Sequence, residues 1–337
     1  MSSSGALAVS LRGRLTGLWD HAIAPNTRRV YQSGVRAYLH FMALIGCACS
    51  EQNLSDLTED TLLLFVTYCH YVLNVRHTTI KGYLCGVRFI YLRQAQANPW
   101  THGSTVRLET IMQSLKRLQG TTSLTRLPIT LPILTSMCHL LRQRVFSPYV
   151  NILIATACCV AFFAFLRCSE FTCDNYNAEA HLSMGSVTFN DDYSTAYILL
   201  QSSKMDPFRK GVTVSLHSIP NSIVCPVKAL RQFLVVRKHH QHRVEDPLFL
   251  TPQGKAMDRQ FFVVHLKCVL AAAGFDEHLY NGHSFRIGAA TTAARAHIPD
   301  HMIKILGRWS SDCYNRYIRT SQDSIRVAQR AMSLAPP

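Results

Sequence analysis

Val150-Asn-Ile-Leu-Ile-Ala-Thr-Ala-Cys-Cys-Val-Ala-Phe-Phe-Ala-Phe-Leu166 runs without a break into Arg167-Cys-Ser-Glu170, and the reading of this stretch decides the fold. As a membrane span it would be slightly short; it carries Asn151 and Thr156, stands alone in the chain and ends directly on charged residues. A helix apolar on every side and closed in this way is instead the buried centre of a globular domain. The composition agrees: 48% of residues are hydrophobic and 16% charged, enough apolar material to build packed cores and too little charge for a disordered basic tail.

At 337 residues the chain exceeds one typical core, so two domains are expected. Upstream of the apolar stretch the periodicity is helical throughout. Asn26-Thr27 opens a helix through Tyr31, Val35, Tyr38 and Met42; Thr58 opens a second; Thr78-Thr79 opens a third through Tyr83, Val87 and Ile90; a fourth spans 106–118. Residues 1–20 are expected as a flexible end, 21–119 as a helical bundle, 120–128 as a linker and 129–337 as a second domain. In that domain the period shifts to two at Ser186-Val-Thr-Phe189, Ala196-Tyr-Ile-Leu-Leu200 and Val212-Thr-Val-Ser-Leu216, then returns to helices ending with one over 323–334. The fold class is therefore mainly α with one small antiparallel β-sheet.

Thirty-five Lys and Arg stand against 20 Asp and Glu, a formal charge of +15, and both domains share the excess. A polyanion contacted by both is the partner this implies. The 12 cysteines form no paired CxxC, so a zinc site is not indicated and reduced thiols of a nuclear or cytoplasmic protein fit. The first residues lack the charged start and apolar run of a secretory signal.

Several polar residues break the apolar pattern. Arg167 closes the apolar helix and needs an anion, with Glu170 one turn on to hold its guanidinium; a plain helix-end ion pair is the bland alternative. In Gly282-His283-Ser284-Phe285-Arg286 the imidazole and guanidinium share one helix face and suit proton transfer at a centre gaining negative charge. Trp309 and two tyrosines, Tyr314 and Tyr317, lie in the Arg-rich segment Gly307-Arg-Trp-Ser-Ser-Asp-Cys-Tyr-Asn-Arg-Tyr-Ile-Arg319, where flanking cations can activate a phenol. Lys204 sits in the loop between the second and third strands, placed to reach over a ligand as a general acid. Arg237-Lys-His-His-Gln-His-Arg243 reads as a solvated, phosphate-facing tract rather than a metal site.

The ordered set Arg167, Lys204, His283-x-x-Arg286, Trp309 and Tyr317 resembles the tyrosine recombinase (phage integrase) family over nearly the whole chain. Its closing segment looks most like the crypton and DIRS-type recombinases of eukaryotic mobile elements. The resemblance implies a core-binding bundle followed by a catalytic domain, and a DNA strand-exchange enzyme for integration or transposition that works without metal or cofactor. It makes Tyr317 the nucleophile, since the family's tyrosine precedes a short apolar-basic tail, with Tyr314 as the fallback. Arg167 and Arg286 would stabilise the phosphate, Lys204 would protonate the leaving oxygen, His283 would assist proton movement, Trp309 would donate to a phosphate oxygen, and Glu170 would support Arg167. Trp309 stands where many members have a second His, so the base role falls on His283 alone. Thr27, Arg28, Arg29, Thr79, Lys81 and Arg88 are the expected contacts to double-stranded DNA in the first domain. The resemblance further implies dimers and a synaptic tetramer assembled through the C-terminal helix. A type IB topoisomerase, and a DNA-binding protein that has lost catalysis, are the competing readings.

Overall fold

A computed structural model describes residues 3–120, 126–201, 210–238, 243–320 and 322–333. The chain divides into two compact units, 1–123 and 124–337.

The first unit is helical: α1 (Ser3–His21), α2 (Pro25–Leu44), α3 (Glu59–Tyr71), α4 (His77–Arg93), the single turn α5 (Pro99–His102) and α6 (Val106–Gln119). The N-terminus departs from expectation, because residues 3–21 are helical where a flexible end was predicted. Ala, Leu and Arg, all good helix formers, recur along it, and its far end is held where Trp19 meets Phe89 edge-on at 5.8 Å. Helix α2 also starts at Pro25, one residue before the expected Asn26-Thr27 cap, since proline, with its fixed φ, suits the first turn. At α3 the expected cap is present: Thr58 Oγ1 accepts from Thr61 N at 3.2 Å.

Helices α2 and α4 pack so close that a Cβ on Gly34 or Gly86 would collide with the backbone of Tyr83 or Tyr31. Their inner faces meet α3 around Tyr38, Phe41, Phe65, Val66, Val87 and Tyr91, and the Tyr91 hydroxyl donates to Ser55 O at 2.7 Å.

The second unit is built on α8 (Pro148–Phe163), with 11 of its 16 residues buried. It packs against α7 (Leu131–Arg142), α10 (Pro226–Lys238), α11 (Arg259–Ala272) and α12 (Ser284–Arg295). The two polar residues of the apolar stretch serve this packing. Asn151 bonds both backbone groups of Phe146, at 2.9 and 3.0 Å, and Thr156 Oγ1 donates to Ala229 O on α10 at 3.2 Å. Among the described residues no helix is long and apolar enough to cross a membrane.

After the short helix α9 (Cys168–Phe171) come β1 (Val187–Phe189), β2 (Thr195–Leu200) and β3 (Val212–His217), an antiparallel sheet in the order β1-β2-β3. Val187 pairs with Ile198, and Ala196 with Leu216. Ala196, Ile198 and Leu200 face the core while Tyr197 and Leu199 face out, the alternation read from the sequence. Beyond α12 follow α13 (Asp300–Leu306), a 3-10 turn over Asp312–Arg316 and α14 (Gln322–Ser333), where Ile325, Val327 and Met332 are exposed.

The expected linker over 120–128 ends sooner than predicted. Arg126 Nη1 donates to His278 O at 2.6 Å, Leu127 N to Leu279 O at 2.9 Å and Ile129 N to Ser284 O at 3.0 Å, so its last residues are already pinned to the second unit. Gly288 makes this possible, because any Cβ there would run into the Ile129 backbone. Residues 121–125 of the expected linker lie outside the described residues.

Candidate active site

The site is assembled on the C-terminal end of α8, where a helix leaves carbonyls without intrahelical donors. Phe165 turns the chain through a left-handed φ of 49°, and the two carbonyls just past the helix, those of Ala164 and Phe165, are taken by guanidinium groups. Arg286 donates to Phe165 O and Gly307 O, and Arg308 Nη1 donates to Ala164 O at 2.8 Å. Cations at a helix C-terminus also meet the favourable end of its dipole.

The chain then starts α9 with Arg167 as its cap. Glu170 accepts from the Arg167 backbone N–H at 2.8 Å and from its Nη1 at 2.8 Å, while its second oxygen also receives Arg308 Nη2 at 2.8 Å. One buried carboxylate therefore holds two arginines, with side-chain exposure of 3% for Glu170, 15% for Arg167 and 13% for Arg308. The simple helix-end ion pair is present but is half of a larger arrangement. With Arg286, which bonds backbone carbonyls and not Glu170, three guanidinium groups are gathered around one negative charge. The Nε atoms of Arg286 and Arg308 are buried with no partner among the described residues. Burial, then repulsion from Arg167, lowers the Arg286 pKa to about 10, which leaves it charged at neutral pH.

His283 enters from the loop before α12. A Cβ on Gly282 would lie 2.5 Å from Cys168 Sγ, so glycine is what allows this loop to press against α9. The His283 N–H is fixed by Asn281 Oδ1 at 2.8 Å. Partial desolvation of the imidazole, followed by the charges of Arg286, Arg167, Arg259 and Arg319, holds its pKa below the ordinary histidine value, which favours the neutral ring a base requires.

Arg286 and Trp309 stack, with the guanidinium carbon 4.2 Å from the indole centroid. Gly307 permits this fold-back, since a Cβ there would run into the indole ring, and Arg308 takes a left-handed φ of 53° to complete the turn.

The two tyrosines separate clearly. Tyr317 is half-buried, its ring 5.1 Å from Trp309 and 5.2 Å from His283, with the Arg286 guanidinium carbon 5.8 Å from the ring centroid. Its backbone is tied to α12 by Thr291 Oγ1, which donates to Tyr317 O at 3.2 Å. Tyr314 is buried, its ring 6.2 Å from Trp309, and burial followed by the neighbouring Asp300 raises its phenol pKa.

Arg167, Glu170, His283, Arg286, Trp309 and Tyr317 thus come together; Lys204 lies outside the described residues, as do His240 and His242. Arg308, which joins Ala164 O to Glu170, was missed by sequence reasoning, as was Arg259, whose charge acts on His283. The glycine and tryptophan flanking Arg308 were the signal for a constrained turn. Nothing local marks Arg259. In the first unit Arg29, Lys81 and Arg88 are exposed and Thr27, Arg28 and Thr79 half-buried. Lys81 and Arg88, seven residues apart, share one face of α4.

No family model matches the chain. A stretch of 141 residues is 28% identical to an integrase/recombinase XerD homolog of Selenomonas ruminantium, covering 41% of this chain and 41% of that relative. The fold matches XerH site-specific recombinase, solved bound to palindromic difH substrate, with a TM-score of 0.63 at 15% identity over 91% of this chain and 79% of that one. It also matches the Tn1549 transposon integrase, solved with transposon right end DNA, at a TM-score of 0.60 and 12% identity over 93% and 95%. The chain has the fold of these site-specific recombinases and integrases. A lambda integrase dimer bound to a core site shows the same fold, with a TM-score of 0.55 at 13% identity over 93% of this chain and 77% of that one.

Proposed function

We propose that this tyrosine recombinase homologue cleaves and rejoins double-stranded DNA through a 3′-phosphotyrosyl intermediate, in integration or transposition. The observation that carries the reading is the surplus of fixed positive charge beside one phenol: Arg167 and Arg308 share the single carboxylate of Glu170, Arg286 is held close by on backbone carbonyls, and Tyr317 stands with its ring against His283. A phosphoryl group passing through its transition state spreads negative charge over its oxygens, and preorganised cations stabilise it without reorganising.

The Tyr317 oxygen attacks a backbone phosphorus while its proton leaves towards His283. The bond to the 5′ oxygen breaks, and Lys204 supplies the proton that makes it a hydroxyl. Arg167 and Arg286 hold the non-bridging oxygens, with the Trp309 indole N–H as a further donor. Attack by the 5′-hydroxyl of a second strand reverses these transfers and releases Tyr317. The phosphodiester energy stays in the phosphotyrosine, so no nucleotide cofactor is consumed. Thr27, Arg28, Arg29, Thr79, Lys81 and Arg88 would hold the duplex in the first unit. Self-association into dimers and a tetramer, through the exposed Ile325, Val327 and Met332 of α14, completes the proposal; the solved lambda integrase relative is a DNA-bound dimer.

The test uses a library of DNA duplexes nicked so that the 5′-hydroxyl fragment diffuses away after cleavage. The expected result is a covalent protein–DNA adduct that survives denaturation, forms in EDTA and maps to Tyr317. An adduct on no DNA, with salt-sensitive binding intact, would leave a DNA-binding protein without catalysis.

A further inference from the structure

We propose that Cys138 and Cys159 form a peroxide-sensitive disulfide site within the second unit. Cys138 lies on α7 and Cys159 on the central helix α8, and their sulfurs are 3.7 Å apart. Both are buried by side-chain exposure, yet both line a cavity of about 760 Å³ with Arg142, Arg144 and Lys228 on its wall. A small neutral oxidant has a route in, and the cations favour a thiolate there.

The two sulfurs are not equivalent. The two thiols share a hydrogen bond in which either sulfur can donate, and Arg142, one turn further along α7, favours the thiolate at Cys138. Other thiols are set apart. Cys158, next in sequence to Cys159, is fully enclosed and does not line the cavity. Cys225 lines it, but its sulfur accepts from Ile219 N at 3.2 Å and Lys228 N at 3.5 Å, which fixes it at the start of α10.

The chemistry balances with a hydroperoxide as the oxidant. The Cys138 thiolate attacks the peroxide oxygen, breaking the O–O bond to give a sulfenic acid and, after proton uptake, water. Cys159, losing its proton, then attacks the Cys138 sulfur and displaces hydroxide, which leaves as a second water. Two thiols lose two electrons, one hydrogen peroxide gains them, and a dithiol reductant reverses the change.

Closing the bond shortens the sulfur separation from 3.7 Å to about 2.05 Å. That draws α8 and α7 together, and α8 ends on the carbonyls that hold Arg308 and Arg286. This consequence rests on the recombinase reading; the disulfide itself does not.

The experiment treats reduced full-length protein with hydrogen peroxide, blocks remaining thiols and maps linked peptides by mass spectrometry. Cys158→Ala removes the ambiguity of the adjacent pair. A Cys138–Cys159 link that dithiothreitol reverses, that persists in Cys225→Ala and that disappears in Cys138→Ser is the expected result. Oxidation confined to exposed Cys268, or a link from Cys138 to Cys225, overturns the site. Where the link forms, adduct formation should fall about 10-fold and return on reduction, since misplacements near 1 Å carry penalties of that order or larger. Equal activity of linked and reduced protein overturns the control of catalysis. Absence of any adduct in the reduced protein overturns the recombinase reading instead, and leaves the peptide map to decide the disulfide.

Discussion

Two ion pairs of nearly equal length behave differently because of where they lie. In the first unit Arg107 meets Asp60 at 2.7 Å, with side chains 64% and 72% exposed. In the second, Glu170 meets Arg167 and Arg308 at 2.8 Å each, and its own side chain is 3% exposed. Water and salt screen the first pair, and its long side chains lose entropy to stay in register, so it holds little beyond itself. The second has already lost its water and is locked by the α8 carbonyls, so its surplus positive charge is felt in full by whatever enters. Distance alone does not distinguish a functional cluster from a surface contact; burial and the number of fixed partners do.

The largest test of this contrast is the nucleophile. Tyr317→Phe is expected to abolish the covalent adduct on denaturing gels, while Tyr314→Phe keeps it, because the Tyr314 ring is buried and the ring beside His283 and Arg286 is that of Tyr317. The opposite pattern would move the reacting centre into the core. Next, Arg286→Ala should slow cleavage at saturating DNA by about 10²- to 10³-fold, the usual loss for one preorganised donor. Arg88→Ala, in the first unit, should leave that rate unchanged.

A third comparison concerns stability. Glu170→Ala strands two buried guanidinium groups and should cost about 3 kcal/mol in denaturant unfolding of the second unit. Asp60→Ala should cost less than about 1 kcal/mol.

The pH profile comes fourth. His283 has its pKa lowered, so it stays neutral at pH 7, and cleavage should decline only below its ordinary value of about 6.5. In that window the unfolded chain binds the proton more readily, so this histidine's contribution to stability is present above about pH 6.5 and is lost as pH falls. His283→Asn should remove the acidic limb of the rate profile. The smallest effect is at the exposed face: Lys81→Ala and Arg88→Ala should each weaken binding to all sequences alike and reduce the salt slope by about one.

Much of the site was legible from residue order. Arg167 stood out because it closes an apolar helix, His283 and Arg286 because they share one helix face, and Trp309 and Tyr317 because they lie in an Arg-rich segment, with Tyr317 preferred to Tyr314 on the family resemblance. Arg308 was not separated from the surrounding arginines, because its role depends on two partners, Ala164 and Glu170, more than 130 residues away in sequence. The helical start of the chain was missed for a related reason. The contact that anchors it, Trp19 on Phe89, is made with a helix 70 residues later.

The sequence by itself determined the two-unit order, the buried character of α8 and the alternating strands, since these follow from local periodicity and from the cost of exposing apolar surface. Only the tertiary structure decided which of the described arginines are held by buried partners, and which of two nearby tyrosines faces the cationic cluster. Both depend on where α8 ends relative to α12 and the 307–309 turn. That placement is set by close packing at Gly282, Gly288 and Gly307, which no local pattern of charge or hydrophobicity encodes.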